Sequence, residues 1–143
     1  MFVTAWMGVL DLPSGKLQFA NAGHNPPLFK RNGEKFEYMK ARSGMLLAGM
    51  EGIKYRKNEL QLMPGDKIYL YTDGVTEATN VHNELYGMER LEVILNKVKC
   101  GTPHEILPAV KADVDEFVGE APQFDDITML CLEYKERMEI KED

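Results

Sequence analysis

Hydrophobic periodicity changes once along this chain, and that change limits the folds open to it. Up to Thr72 the apolar residues come in short runs of strand type, each closed by a turn cluster. From Leu91 they recur at helical spacing, and one last strand-like run, Ile127–Tyr134, follows. Strands first, then helices, then a single strand is not the alternation of a doubly wound βαβ fold. It predicts an α+β domain, a mostly antiparallel sheet with helices packed on a face. The final run must return beside earlier strands, because alone its backbone would have no partners.

The strand runs can be placed one by one. Phe2–Leu10 and Lys16–Ala22 flank the turn cluster Asp11-Leu12-Pro13-Ser14-Gly15 and predict a hairpin. Gly23-His24-Asn25-Pro26-Pro27 must break the second strand, since consecutive prolines donate no ladder hydrogen bonds. Leu28–Lys30 and Lys35–Met39 flank Asn32-Gly33, a hairpin dipeptide. A glycine-punctuated loop, Ser43–Gly52, leads to Tyr55–Leu62, a Pro64-Gly65-Asp66 turn and Lys67–Thr72. Ile68-Tyr69-Leu70-Tyr71 is apolar on both faces, as in a strand covered on both sides.

Leu91, Ile94, Leu95 and Val98 mark one amphipathic helix. A second begins with Thr102 as N-cap, Pro103 at the first helical position and Glu105 completing a capping box, and carries Ile106, Val110, Val114 and Phe117 on one stripe. Pro108 inside it predicts a kink or loosened bonding in the early turns. Residues 1–134 therefore read as one domain and the charged segment 135–143 as a solvated tail.

Composition removes several function classes. Hydrophobic residues at 44% and charged residues at 28% belong to a globular chain rather than a disordered one. A net charge of −6, with no basic stripe, argues against nucleic acid as a partner. No apolar run approaches the ~20 residues of a membrane span, so a cytoplasmic protein, or the cytoplasmic part of a larger sensor, is expected. Cys100 and Cys131 match no zinc or redox spacing and read as reduced thiols, Cys131 buried in a strand. Trp6, Tyr69 and Tyr71 read as packing of the sheets, and the scattered methionines as core or loop filling.

Acidic residues at strand ends are the chemical signal. Asp73 follows the strand ending at Thr72 and precedes Gly74, while Asp125-Asp126 precedes the final strand. A carboxylate there is held by a rigid element yet open to solvent, which suits a hard cation such as Mg²⁺ or Mn²⁺. The same residues also serve as ordinary turn and cap residues, and they are far apart in sequence. Spacing alone leaves both readings open.

A set of strings then occurs in a telling order: Asn21-Ala22-Gly23-His24-Asn25-Pro26-Pro27-Leu28, Pro64-Gly65-Asp66, Leu70-Tyr71-Thr72-Asp73-Gly74-Val75-Thr76-Glu77-Ala78, Tyr86-Gly87 and Asp125-Asp126-Ile127-Thr128. Together they resemble the C-terminal portion of the SpoIIE/RsbU-type PPM (protein phosphatase 2C-like) serine/threonine phosphatases, from Phe2 to about Tyr134. The resemblance implies a β-sandwich of mostly antiparallel strands flanked by two helices, of which this chain holds part. It implies hydrolysis of phosphoserine or phosphothreonine on a protein substrate, such as an anti-sigma-factor antagonist in bacterial partner switching. Two Mn²⁺ or Mg²⁺ ions acidify a bridging water in the intact domain of such enzymes.

By the same resemblance Asp73 and Asp125 are metal ligands and catalytic residues. Asp126 is a neighbouring ligand or a turn residue, while His24, Asn25 and Gly74 orient the loop or meet substrate. Glu77 shares the Asp73 loop, and His82 and His104 have no partners at ligand spacing. The family's upstream Gly-Gly-Asp-aromatic-aromatic-Asp and Asp-x-x-Gly-His-Gly segments do not occur in these 143 residues. The expectation is a half-built site holding at most one ion weakly, with Met1 a boundary, and a sheet edge left open to a second copy. The alternatives are a partner-binding or sensor domain on a degenerate phosphatase fold, or a structural fragment with no ligand.

Overall fold

The chain folds into two antiparallel sheets with helices on one side, as a computed structural model describing residues 3–41, 43–98 and 101–136. Met1, Phe2, Cys100 and tail residues 137–143 lie outside the described residues.

Strand β1 (Ala5–Asp11) pairs with β2 (Lys16–Ala22) from Ala5 opposite Ala22 to Asp11 opposite Lys16, the predicted hairpin. The first sheet runs β1-β2-β5, with β5 (Asn58–Gln61) alongside the start of β2. The second runs β4-β3-β6-β7, from β3 (Leu28–Lys30), β4 (Phe36–Tyr38), β6 (Lys67–Tyr71) and β7 (Met129–Glu133). The final strand does return beside an earlier one, Tyr71 opposite Met129 and Lys67 opposite Glu133. Several strands are shorter than their hydrophobic runs. The predicted Tyr55–Leu62 is trimmed to β5 because β2 offers partners only for Asn58–Gln61, and Ile127–Tyr134 is trimmed to β7.

Among the described residues three helices follow β6: the single turn α1 (Asp73–Thr76), α2 (Met88–Lys97) and α3 (Pro103–Val118). The α3 start is as predicted, with Glu105 Oε2 accepting from the Thr102 amide at 3.2 Å and its hydroxyl at 2.8 Å. Pro108 is the sixth residue of an unbroken α3, where its missing N–H leaves His104 O without the helical bond but does not end the helix.

Two cores result. Leu17, Phe19, Leu62 and Ile68 fill the space between the sheets, with Trp6 stacked on Phe19 at 5.4 Å. Leu28, Phe36, Tyr69 and Tyr71 pack the second sheet against Leu91, Leu95, Ile106, Val110 and Val114. This corrects the reading of Tyr69 and Tyr71 as sandwich residues: they share the helix-facing side of β6, while Ile68 and Leu70 face the other sheet. Period-two alternation puts Tyr69 and Tyr71 on one face but does not say which layer covers it. Cys131 is half-buried rather than buried; burial and the Glu133 carboxylate still outweigh the pull of Lys67 and push its thiol up to about 11. Met45, Met50, Met63 and Met88 are exposed rather than core. Among the described residues no helix is long and apolar enough to cross a membrane.

Candidate metal centre

The two acidic segments lie far apart in sequence, and the β6–β7 ladder brings them together. It ends at Tyr71 opposite Met129, and both chains run on past it towards their carboxylates. The Thr72 amide donates to Thr128 O at 3.0 Å, carrying the pairing one step further. The Thr72 hydroxyl accepts from the Thr128 amide at 3.1 Å and donates to Asp126 O at 3.2 Å.

Asp73 then turns out of the sheet on α1, not on the open loop that an Asp-Gly pair suggests. The turn closes through Val75 N to Thr72 O at 3.0 Å and Glu77 N to Asp73 O at 2.7 Å. Gly74 is required there: a Cβ would stand 2.2 Å from Asp126 O and 2.9 Å from Asp126 C. The approach of the two backbones is the cradle that a side chain would fill.

Asp73, Asp125 and Asp126 are all exposed. One oxygen of Asp125 accepts the amide of the next residue, Asp126, at 2.7 Å, a local contact that orients the carboxylate, and the Gln123 side-chain amide donates to Asp125 O at 2.8 Å. Gly74, Glu77, Phe124 and Asp125 line a cleft of about 90 Å³ beside this junction, with Phe124 strongly exposed at its rim.

His24 and Asn25 sit in the turn between β2 and β3. Antiparallel β3 has Leu28 opposite Tyr69, so this turn and the Asp73 turn leave the second sheet at the same end. The turn is built by Asn21, whose Oδ1 accepts from the His24 amide at 2.8 Å and whose Nδ2 donates to His24 O at 3.0 Å. Gly23 at φ 71° supplies the reversal. The His24 ring stands 3.3 Å from the Thr4 hydroxyl, and Asn25 is half-buried. Glu77 is exposed beside the cleft, and His82 and His104 are exposed away from it.

The donor set fits a hard divalent cation: carboxylate oxygens on anchored backbone, open to solvent. Among the described residues no group of three or more His, Cys, Asp or Glu is placed to hold a metal ion. Mg²⁺-like ions are commonly held by one or two carboxylates with waters completing the shell. Thr72 carries no signal in the sequence beyond its place between a strand run and an Asp.

The chain matches the family model of stage II sporulation protein E (SpoIIE) over residues 1–135. It is 33% identical over 132 residues to protein IcfG of Synechocystis, covering 92% of this chain and 20% of that protein. It is 23% identical over 135 residues to phosphoserine phosphatase RsbU of Bacillus subtilis, covering 94% and 40%. Among solved structures, the SiaA-PP2C domain of Pseudomonas aeruginosa superposes with a TM-score of 0.79 at 28% identity, covering 92% of this chain and 52% of that one. The phosphatase domain of SpoIIE from Bacillus subtilis (Mn presoaked) gives 0.72 at 20% identity, covering 94% and 58%. The chain thus spans well under two thirds of the length of each of these.

Proposed function

The chain belongs to the SpoIIE family, and from that premise we propose that it is part of a metal-dependent phosphoserine/phosphothreonine protein phosphatase domain of a bacterial signalling regulator. The observation that supports the reading most is the junction of Asp73 and Asp125, two exposed carboxylates on backbone segments joined by Thr72 and pressed together at Gly74. Asp73 and Asp125 would hold Mn²⁺ or Mg²⁺, with Asp126 beside them. Such an ion, when bound, supplies positive charge for phosphoryl oxygens and acidity to a water.

The chain's own residues supply placement. Gly74 admits the close approach, the Asp126 amide orients the Asp125 carboxylate, and the half-buried His24 and Asn25 stand at the same end of the sheet to orient the loop or meet the substrate. The substrate class is a phosphorylated protein in the cytoplasm, such as an anti-sigma-factor antagonist, the reading carried by family membership. With two acidic segments and no group of three or more such ligands among the described residues, one weakly held ion and weak or no turnover are expected of this chain by itself.

Calorimetric titration of Mn²⁺ into the parent chain and Asp73→Asn tests this. The expected result is weak binding that the substitution lowers by at least about tenfold, the loss of a direct ligand exceeding that of a supporting group. Binding absent from both proteins would turn the reading towards a partner-binding domain on the same fold.

A further inference from the structure

We propose that Thr72 is a positioning residue whose hydroxyl sets the spacing between the Asp73 turn and the Asp125–Asp126 segment, and so tunes cation affinity without touching the cation. The inference rests on the metal reading above.

Strand pairing stops at Tyr71 and Met129, short of both acidic segments. Beyond it the Thr72 backbone contributes one bond and its side chain two. A hydroxyl has one hydrogen to donate, and it goes to Asp126 O at 3.2 Å in preference to Thr128 O at 3.5 Å. Its lone pair takes the Thr128 amide at 3.1 Å. Asp126 O is therefore held from two directions. Gly74 sets how close it can come, since any side chain there would collide, and the Thr72 hydroxyl keeps it from drifting away.

The consequences differ for stability and for binding. Asp126 and Thr128 are exposed, so water can replace the lost partner and the fold loses little. Water cannot fix a distance between two chain segments. Thr72→Val keeps the shape and removes the hydroxyl, while Thr72→Ser keeps the hydroxyl.

The test compares parent, Thr72→Val and Thr72→Ser by two readouts: Mn²⁺ titration by calorimetry, and amide hydrogen exchange without metal over residues 125–129. In Thr72→Val we expect about tenfold weaker Mn²⁺ binding, the scale seen when a group supporting a ligand is lost, and faster exchange at Thr128. The melting temperature should stay within about 3 °C, a shift equivalent to ~1 kcal/mol for a chain of this size. Thr72→Ser should restore most of the affinity and the protection. Parent-like exchange and affinity in Thr72→Val overturn the positioning role, as does equal loss in both variants. If the parent itself does not bind Mn²⁺, the metal reading fails and takes this proposal with it. The parent titration thus reports on the function, and the ratio of Thr72→Val to parent reports on Thr72.

Discussion

Asp66 and Asp73 each sit beside a glycine in a turn, yet they end in opposite environments. Asp66 is 1% exposed and accepts from Arg31 Nη1 at 2.6 Å and from the amides of Asn32 and Met63, both at 2.9 Å. Asp73 faces solvent with its carboxylate uncommitted to the turn that holds its backbone. Sequence shows both as Asp-Gly or Gly-Asp; the difference comes from Arg31 and Asn32, delivered from a different hairpin. Asp66→Ala leaves two amides without their acceptor, while the partly exposed Arg31 keeps Gln61 O, so it should lower unfolding free energy by about 2 kcal/mol. Urea denaturation followed by the single Trp6, which lies between the sheets, would measure it. A loss under about 1 kcal/mol would show that water takes over the donors.

At the scale of elements, much of the layout is written in the chain and the layer assignments are not. The α3 start was legible because capping is local, and the β1–β2 hairpin because its turn chemistry and alternation agree. What was hidden depends on residues meeting from different elements. Asn96 of α2 accepts from the Phe36 amide at 2.7 Å and donates to Phe36 O at 3.1 Å, acting as a strand partner for β4. Between α2 and α3, Asp113 accepts from Tyr86 Oη at 2.6 Å and Arg90 Nε at 3.0 Å, and Arg90 lies over the Tyr86 and Phe117 rings. Partial burial pushes the Asp113 carboxyl up, but the Arg90 and Tyr86 hydrogen bonds outweigh it and hold it below its ordinary value. A carboxyl lowered on folding stabilises the protein above its unfolded pKa of about 3.9 and loses that contribution as pH falls through the folded value. Asp113→Asn should therefore cost about 1 kcal/mol near neutral pH, kept small by the partly exposed Arg90. The gap to the parent should close below about pH 4. Melting curves of both proteins across pH would show the convergence; a constant gap would locate the cost in packing instead.

Across the described residues as a whole, the decisive fact is how unequally the four sheet edges are protected. The exposed ends of the two sheets are β1, β5, β4 and β7. Asn96 covers β4, and β5 carries charge, with Glu59 bridged to Lys16 and Lys57. Helix cover and charge are the usual means of blunting an edge. Among the described residues the other two carry no charge at their centres: β1 exposes Met7 at 69% and Val9 at 59% on its outer face, and β7, packed on α3 through Met129 and Cys131, exposes Leu130 at 53% on the other. Between them Trp6, Leu10, Leu130 and Leu132 line an apolar cleft of about 340 Å³ that opens on this side. The hydrophobic pattern could forecast an uncovered edge but not which one, because edge order is set by long-range pairing. We propose that a second copy covers β1 and β7. Sedimentation velocity over a concentration series should show the parent self-associating, and the pair Val9→Lys with Leu130→Lys should run as a monomer with an unchanged circular dichroism spectrum. Both side chains are exposed, so the substitutions bury no charge and leave the fold intact. A parent that stays monomeric throughout would mean that this apolar side does not recognise itself, and self-association would be discarded while the metal centre at the end of the second sheet stands on its own test.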